Sequence, residues 1–300
     1  MPEGVFMTFY QMLWFFMIYA GIGWVIEVAY HALTLGKVVN RGFLNGPVCP
    51  VYGIGMVVVL EIMQKLPADP ETGMVSVWLT FLVGMVFTTL IELAAGWLLD
   101  KAFHARWWDY SDRPFNLNGY ICPLFSVIWG FAVVVAVRVA HPVIAHLSFA
   151  ALPFRYGWWI LAALYLVLFV DTGVTVAFVI GLNRELKQLE TLRDMLRSQS
   201  DRMSEHIAKD TIELSNNLTE YRIQASLGKA ELKNGMAELK DGMAEYRREF
   251  TRRMEEYTQG KHWGSRRLLN AFPHMKHRFY EDALAELQEY IRAEARKRKG

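Results

Sequence analysis

The first 182 residues carry 18 charged side chains, and the remaining 118 carry 44. Uncharged stretches recur through the first part, and a helix needs about 20 apolar residues to cross the hydrocarbon core of a bilayer. This asymmetry predicts a membrane half followed by a solvated half. Composition agrees, with 53% hydrophobic and 14% aromatic residues. The net charge of +2 divides as −2 before residue 183 and +4 after it. Neither half has the dense basic face that nucleic acid requires, so no nucleic-acid partner is expected. Two cysteines do not make a disulfide framework. The N-terminus lacks a basic stretch, and its first apolar run is too long and too aromatic for a cleaved signal, so it reads as an uncleaved first span.

Residues 5–26 are uncharged and include Phe6, Phe9, Trp14, Phe15, Phe16 and Trp24. This first crossing extends past Glu27 to about Leu35, and Gly36-Lys37 marks its end. A second uncharged run covers 42–60 and closes at Glu61 and Lys65; Pro67, Pro70 and Gly73 make the turn. A third span covers about 74–99, broken only by Glu92, and a fourth about 117–137. Residues 139–154, with His141, Pro142, His146 and Pro153, read as a loop or an interfacial helix. The fifth span, about 156–182, contains Asp171. Five crossings place the termini on opposite sides. Lys37, Arg41, Lys101, Arg106 and Arg113 lie on one side, and Lys65, Arg138 and Arg155 on the other. The positive-inside rule then predicts a cell-membrane protein with its N-terminus outside and its tail cytoplasmic.

A short motif occurs twice. Leu44-Asn45-Gly46-Pro47-Val48-Cys49-Pro50-Val51-Tyr52 is matched by Leu117-Asn118-Gly119-Tyr120-Ile121-Cys122-Pro123-Leu124-Phe125. Arg41 and Phe43 precede the first copy, Arg113 and Phe115 the second. The match extends back to Ile26-Glu27 and Ile91-Glu92. Each unit is a helix with a carboxylate, a polar loop with an arginine, Asn-Gly, Cys-Pro and a second helix. Two crossings return the chain to its starting side, so the units (about 10–64 and 74–138) are expected to be parallel, related by a pseudo-two-fold along the membrane normal.

Glu27 and Glu92 sit inside apolar helices, where a carboxylate costs several kcal/mol unless paired or protonated. One reading is a structural ion pair with Arg41, Arg113 or helix N-termini. The other is a substrate or coupling-ion site on the pseudo-axis, built from Glu27, Glu92, Arg41, Arg113, Asn45 and Asn118. Asn45 and Asn118 are good helix caps, and Pro50 and Pro123 suit a first helical turn. The functional version has both helix N-termini facing an anionic group. Cys49 and Cys122 read as packing residues, and no metal or cofactor is expected. Trp108 and Asp109, in Trp107-Trp108-Asp109-Tyr110, read as an interfacial belt or a ligand gate. Asp171 reads as a hydrogen-bonded interior carboxylate or a third polar contact in the bundle core. Without a Ser-His-Asp, Cys-His or P-loop arrangement, no catalytic residue is nominated, and the expectation is that the protein is not an enzyme.

The tail opens as a helix continuous with the fifth span. Leu232, Met236, Leu239, Met243, Tyr246, Phe250, Met254 and Tyr257 alternate spacings of four and three, a heptad seam that predicts a coiled coil with a second copy or a partner helix. The expected architecture is therefore an all-α membrane protein with about five transmembrane helices. A membrane domain (1–182) precedes a cytoplasmic coiled-coil helix (183–260). The last part (261–300) is a basic, aromatic turn followed by a short amphipathic helix from about Phe279.

The run Arg41–Pro47, the stretch Cys49–Gly55, the tetrad Trp108–Ser111 and the segment Pro114–Gly119 resemble the ABC-transporter type IV family of CmpB-like bacterial multi-pass membrane proteins. The resemblance covers roughly residues 10–180. Arg266–Leu269 and Ala271–Pro273 are similar to tails in that family. The resemblance implies a permease-like subunit of a transport system, embedded in the bilayer and served by a separate ATPase subunit. The alternative is a non-transporting scaffold or sensor acting through its coiled coil. A third reading is an intramembrane enzyme acting on lipid.

Overall fold

The computed structural model describes residues 7–35, 39–151, 154–216 and 263–297, together with 237, 240–242, 244–246, 248–253, 255 and 256. The described residues are mostly helical. Four helices build the first part: α1 (Phe9–Leu35), α2 (Pro50–Met63), α3 (Val77–Phe103) and α4 (Pro123–Val135). A π-helical turn over Ala136–Ala140 joins α4 to α5 (His141–Ala151), and α6 spans Phe154–Asn216. Two short helices, α7 (Trp263–Ala271) and α8 (Glu281–Lys297), close the chain.

The prolines mark the starts of two helices, but the caps are not the asparagines expected, and both helices begin later than the apolar runs that contain them. Pro50 and Pro123 open α2 and α4, where their missing N–H costs nothing. The cap positions belong to Cys49 and Cys122, both extended and neither making a side-chain cap bond. Asn45 and Asn118 lie four residues upstream of them and do not cap. Residues 139–151, expected as a loop or an interfacial helix, are helical. They continue α4 as helix, because the wide π turn absorbs Pro142, which has no N–H to donate. His141 in that stretch meets Tyr19 of α1 at 3.0 Å.

Four helical stretches are long and apolar enough to cross a bilayer: Phe9–Leu33, Val77–Phe103, Pro123–Leu147 and Tyr156–Met195. Their exposed faces are apolar. On α3, Trp78, Leu82, Val86, Leu90 and Trp97 follow one another at near-helical spacing, and all are exposed. Such a stripe is costly in water and ordinary against lipid. At 14 residues, α2 reaches only about 21 Å, since the first part of the 42–60 run is not helical. Helix α1 packs on α2, α3 on α4, and α2 touches α3. Small residues permit these approaches. A Cβ on Gly53 would come within 2.6 Å of the Phe16 backbone oxygen, and one on Gly84 within 2.6 Å of Val133.

The described residues form two compact units. One comprises Met1–Ile180 with Arg267–Phe279, and the other Gly181–Arg266 with Tyr280–Gly300. The second unit buries Leu182, Leu186 and Leu189 of α6 and Ala283, Leu284, Leu287 and Ile291 of α8. That spacing makes α8 amphipathic, as its sequence predicts. Arg193 pairs with Asp282 at 2.5 Å, and Arg253 with Glu185 at 3.4 Å. Of the proposed seam, Tyr246 and Phe250 stack at 5.7 Å. Leu232, Met236, Leu239, Met243, Met254 and Tyr257 lie outside the described residues.

Candidate functional site

Glu27 lies about five turns into α1. Tyr52, in the first turn of α2, donates its hydroxyl to Glu27 Oε1 at 2.7 Å. Arg41, from the loop between the two helices, brings Nε to 3.4 Å from Oε2. The Arg41 guanidinium also sits 5.3 Å above the Tyr30 ring. One carboxylate thus holds a neutral donor on one oxygen and a cation on the other.

Glu92 lies at the matching point of α3 but is held differently. The position equivalent to Tyr52 is Phe125, which has no hydroxyl. Tyr110, from the longer second loop, stacks on Phe125 with ring centroids 4.7 Å apart and donates to Glu92 Oε1 at 3.1 Å. Burial, followed by the charge and hydrogen bond of Glu92, pushes the Tyr110 phenol far up, so it stays a donor. The second oxygen, Glu92 Oε2, is buried and has no hydrogen-bond partner among the described residues. Arg113, the repeat partner of Arg41, is exposed and pairs with no carboxylate among them. Glu27 and Glu92 lie within electrostatic reach of each other. Trp129 of α4 stands beside Glu92 and meets the Tyr52 ring edge-on at 5.4 Å.

The two Asn-Gly turns also diverge. Asn45 and Gly46 are gripped by Asp171 of α6. Its Oδ1 accepts from the Asn45 backbone N–H at 3.0 Å and from Asn45 Nδ2 at 2.8 Å, and its Oδ2 from the Gly46 N–H at 2.7 Å. Asn40 ties the same loop internally, donating to the Asn45 carbonyl at 2.7 Å and accepting from Trp24 Nε1 at 2.7 Å. Arg267 of α7 donates to the carbonyls of Gly42 and Phe43 at 2.9 and 2.7 Å. In the second copy, Asn118 and Gly119 adopt left-handed φ of 51° and 73° inside a turn closed by the Tyr120 N–H on the Leu117 carbonyl. Asn118 is exposed there. Trp108 donates Nε1 to the Tyr120 carbonyl at 2.9 Å.

The segment 272–279 binds the second loop. Strand β1 (Ala105–Arg106) pairs antiparallel with β2 (Lys276–His277), and Phe272 stacks on Trp107 at 5.8 Å. Lys276 Nζ reaches Asp109 Oδ2 at 2.7 Å. Burial works against the charged form of Asp109, but the hydrogen bonds from Lys276 and Ser111 outweigh it and hold the carboxyl down at about 2. His277 is almost fully buried and accepts the Phe279 N–H on Nδ1 at 3.2 Å. Burial first, then the nearby His104, pushes it down to about 4, while Asp100 pulls the other way. Folded His277 therefore stays neutral at a pH where the unfolded chain takes up a proton. Stability is complete above about pH 6.5 and falls as pH drops towards 4. The expected loss at pH 5 is about 2 kcal/mol relative to pH 7.5, and His277→Gln should remove that slope. Thermal unfolding of both proteins at the two pH values measures it. Parallel slopes would show that His277 is not its source.

A family model described as "Putative ABC-transporter type IV" matches residues 14–176, more than half of the chain. The chain belongs to that family. The match includes Glu27, Arg41, Asn45, Glu92 and Asp171 and stops short of Arg267 and Lys276. Membership and the apolar helices together make the protein an ABC-transporter-related membrane protein. Neither the curated proteins nor the solved structures yield a match to this family member.

Of the nominated residues, the structure brings Glu27, Arg41 and Glu92 into one neighbourhood and Asn45 and Asp171 into another. Arg113, Asn118, Trp108 and Asp109 remain on the second loop. Tyr52, Tyr110, Asn40, Thr175 and Arg267 were not nominated. Tyr52 and Tyr110 lie inside motifs the sequence singles out and Arg267 inside the tail segment, whereas Asn40 and Thr175 carry no such signal.

Proposed function

We propose that this protein is a permease-like membrane subunit of a transport system, working with a separate ATPase chain. The observation that carries the reading is the pair of carboxylates, Glu27 and Glu92, inside two apolar helices. Each accepts a tyrosine hydroxyl, and the Tyr52 ring that holds Glu27 meets Trp129 edge-on at 5.4 Å. Intramembrane carboxylates of this kind mark ion and substrate paths by default. The proposed site comprises Glu27, Arg41 and Glu92, framed by Tyr52 and Tyr110. Asn45 and Asp171 fix the loop above it, and Arg113, Asn118, Trp108 and Asp109 form its outer approach. In this reading α2 completes a fifth crossing together with the loop before it, the two units are parallel repeats, and the tail is cytoplasmic and pairs through its heptad seam with a second copy. No bond-making chemistry is assigned to the site.

The test is gentle purification from its native membrane, followed by identification of what accompanies the chain. An ATPase subunit retained at fixed stoichiometry, with ATP turnover stimulated by one solute, is the expected result. A chain that purifies without any ATPase and moves no solute would overturn it. A scaffold or sensor is the second reading, favoured by the unbroken run of α6 from an apolar span into the charged half. Leu232→Asp with Leu239→Asp separates the two: a scaffold loses its partner and its output, whereas a permease keeps solute movement.

A further inference from the structure

The loop from Phe115 to Ile121 faces two cavities of opposite character. Asn116, Asn118 and Tyr120 line a polar one of about 450 Å³; Phe115, Leu117 and Ile121 line an apolar one of about 410 Å³. Successive side chains of the loop thus serve the two cavities by turns. Helix α3 backs both. Asp100 and Lys101, near its C-terminal end, line the polar cavity, while Met85, Val86 and Leu90 line the apolar groove deeper in the span. Leu90 and Lys101 are separated by about 16 Å along the helix.

The polar cavity is positive. Lys101, Arg106 and Arg278 line it against the single carboxylate of Asp100. Arg106 is engaged with Asp100 at 3.5 Å. The side chains of Lys101 and Arg278 have no ion-pair partner among the described residues. Asp100 is 3% exposed, yet its Oδ1 has no hydrogen-bond partner. Its other oxygen takes the Tyr120 hydroxyl at 2.5 Å. The cavity therefore offers two unpaired cations to an anion and one buried, unmet acceptor to a donor. Beside it the apolar groove opens towards the lipid-facing side of α3, and Phe115 at its mouth is 90% exposed.

We infer that this is a binding site for one phospholipid whose head group carries a hydroxyl or ammonium donor beside its phosphate. The phosphate sits between Lys101 and Arg278, the donor meets Asp100 Oδ1, and an acyl chain lies along Met85, Val86 and Leu90. A soluble phosphate ester would use the polar cavity alone. The site shares Asn118 with the outer approach proposed above but involves neither Glu27 nor Glu92, so failure of the transport reading leaves it standing.

The full chain is reconstituted in nanodiscs of equal parts phosphatidylglycerol, phosphatidylethanolamine and phosphatidylcholine. It is then released and weighed intact by native mass spectrometry. Retention of phosphatidylglycerol or phosphatidylethanolamine well above phosphatidylcholine, which has no head-group donor, is the expected result. Lys101→Ala with Arg278→Ala should lower that retention about thirtyfold, the scale expected for removing two phosphate-pairing cations. Lys101→Arg with Arg278→Lys should restore it, which separates loss of charge from loss of fold. Glycerol 3-phosphate at millimolar concentration should leave the bound lipid in place. Equal retention of all three lipids, unchanged retention in the alanine variant, or ready displacement by glycerol 3-phosphate would each overturn the assignment.

Discussion

Asp171→Ala is expected to destabilise the membrane half by about 3–5 kcal/mol, the largest effect of any single substitution considered for this protein. The carboxylate accepts the backbone N–H groups of Asn45 and Gly46 and the amide of Asn45, and it also receives the Thr175 hydroxyl at 3.3 Å. Alanine leaves two loop N–H groups without an acceptor in a partly buried place, and each such loss costs about 1–3 kcal/mol. Asp171→Asn should cost less. It keeps one carbonyl for Asn45 but turns an NH₂ towards the Gly46 N–H, so one bond becomes a clash of donors. Thermal unfolding in detergent, followed by tryptophan fluorescence, ranks wild type above Asn and Asn above Ala. An alanine variant that melts with the wild type would show that the Asp171 contacts do not hold the loop.

Glu27→Gln and Glu92→Gln are expected to reduce transport of the cognate solute by tenfold or more each, and to abolish it together. A charged group lost from a binding path accounts for about 1.4 kcal/mol per decade of rate. Glutamine keeps the size of the side chain and an oxygen for the Tyr52 or Tyr110 hydroxyl, so the helices need not move. The Glu27–Arg41 pair is part-exposed, 26% and 30%, and such pairs contribute at most about 1 kcal/mol to stability. Glu92→Gln removes a charge from an apolar span and should leave stability equal or higher. Activity falling while the melting temperature holds is thus the signature of a site. Intact transport in the double variant would end the assignment. A fall in melting temperature in step with activity would instead favour a structural ion pair.

The two copies of the Asn-Gly, Cys-Pro motif look interchangeable in sequence, and the structure treats them differently. The proline after each cysteine reports a helix start because a missing N–H is a local property. The asparagine before it reports nothing so definite. Asn45 finds its partner 126 residues away in Asp171, and Asn118 turns left-handed in an exposed loop. The same divergence separates the arginines: Arg41 reaches Glu27, and Arg113 stays at the surface. The hydroxyl of Tyr52 is absent at Phe125 and returns from Tyr110, a residue outside the alignment of the repeats. Substitution within a repeat shows what is lost at a position, not which part of the chain replaces it.

The sequence alone determined which stretches are apolar, that Pro50 and Pro123 suit the first turn of a helix, that Glu27 and Glu92 lie inside apolar helices, and that the last helix is amphipathic. These follow from hydrophobic length, helical period and the chemistry of proline, all of which act within a few residues. The tertiary structure decided which groups satisfy the buried polar atoms. Tyr110 on Glu92, Asp171 on the first Asn-Gly turn, Arg267 on the Gly42 and Phe43 carbonyls and Lys276 on Asp109 join residues between 18 and 225 positions apart. A hydrogen bond is short and directional, so its partner is set by how the helices pack, and no local pattern in the chain encodes it.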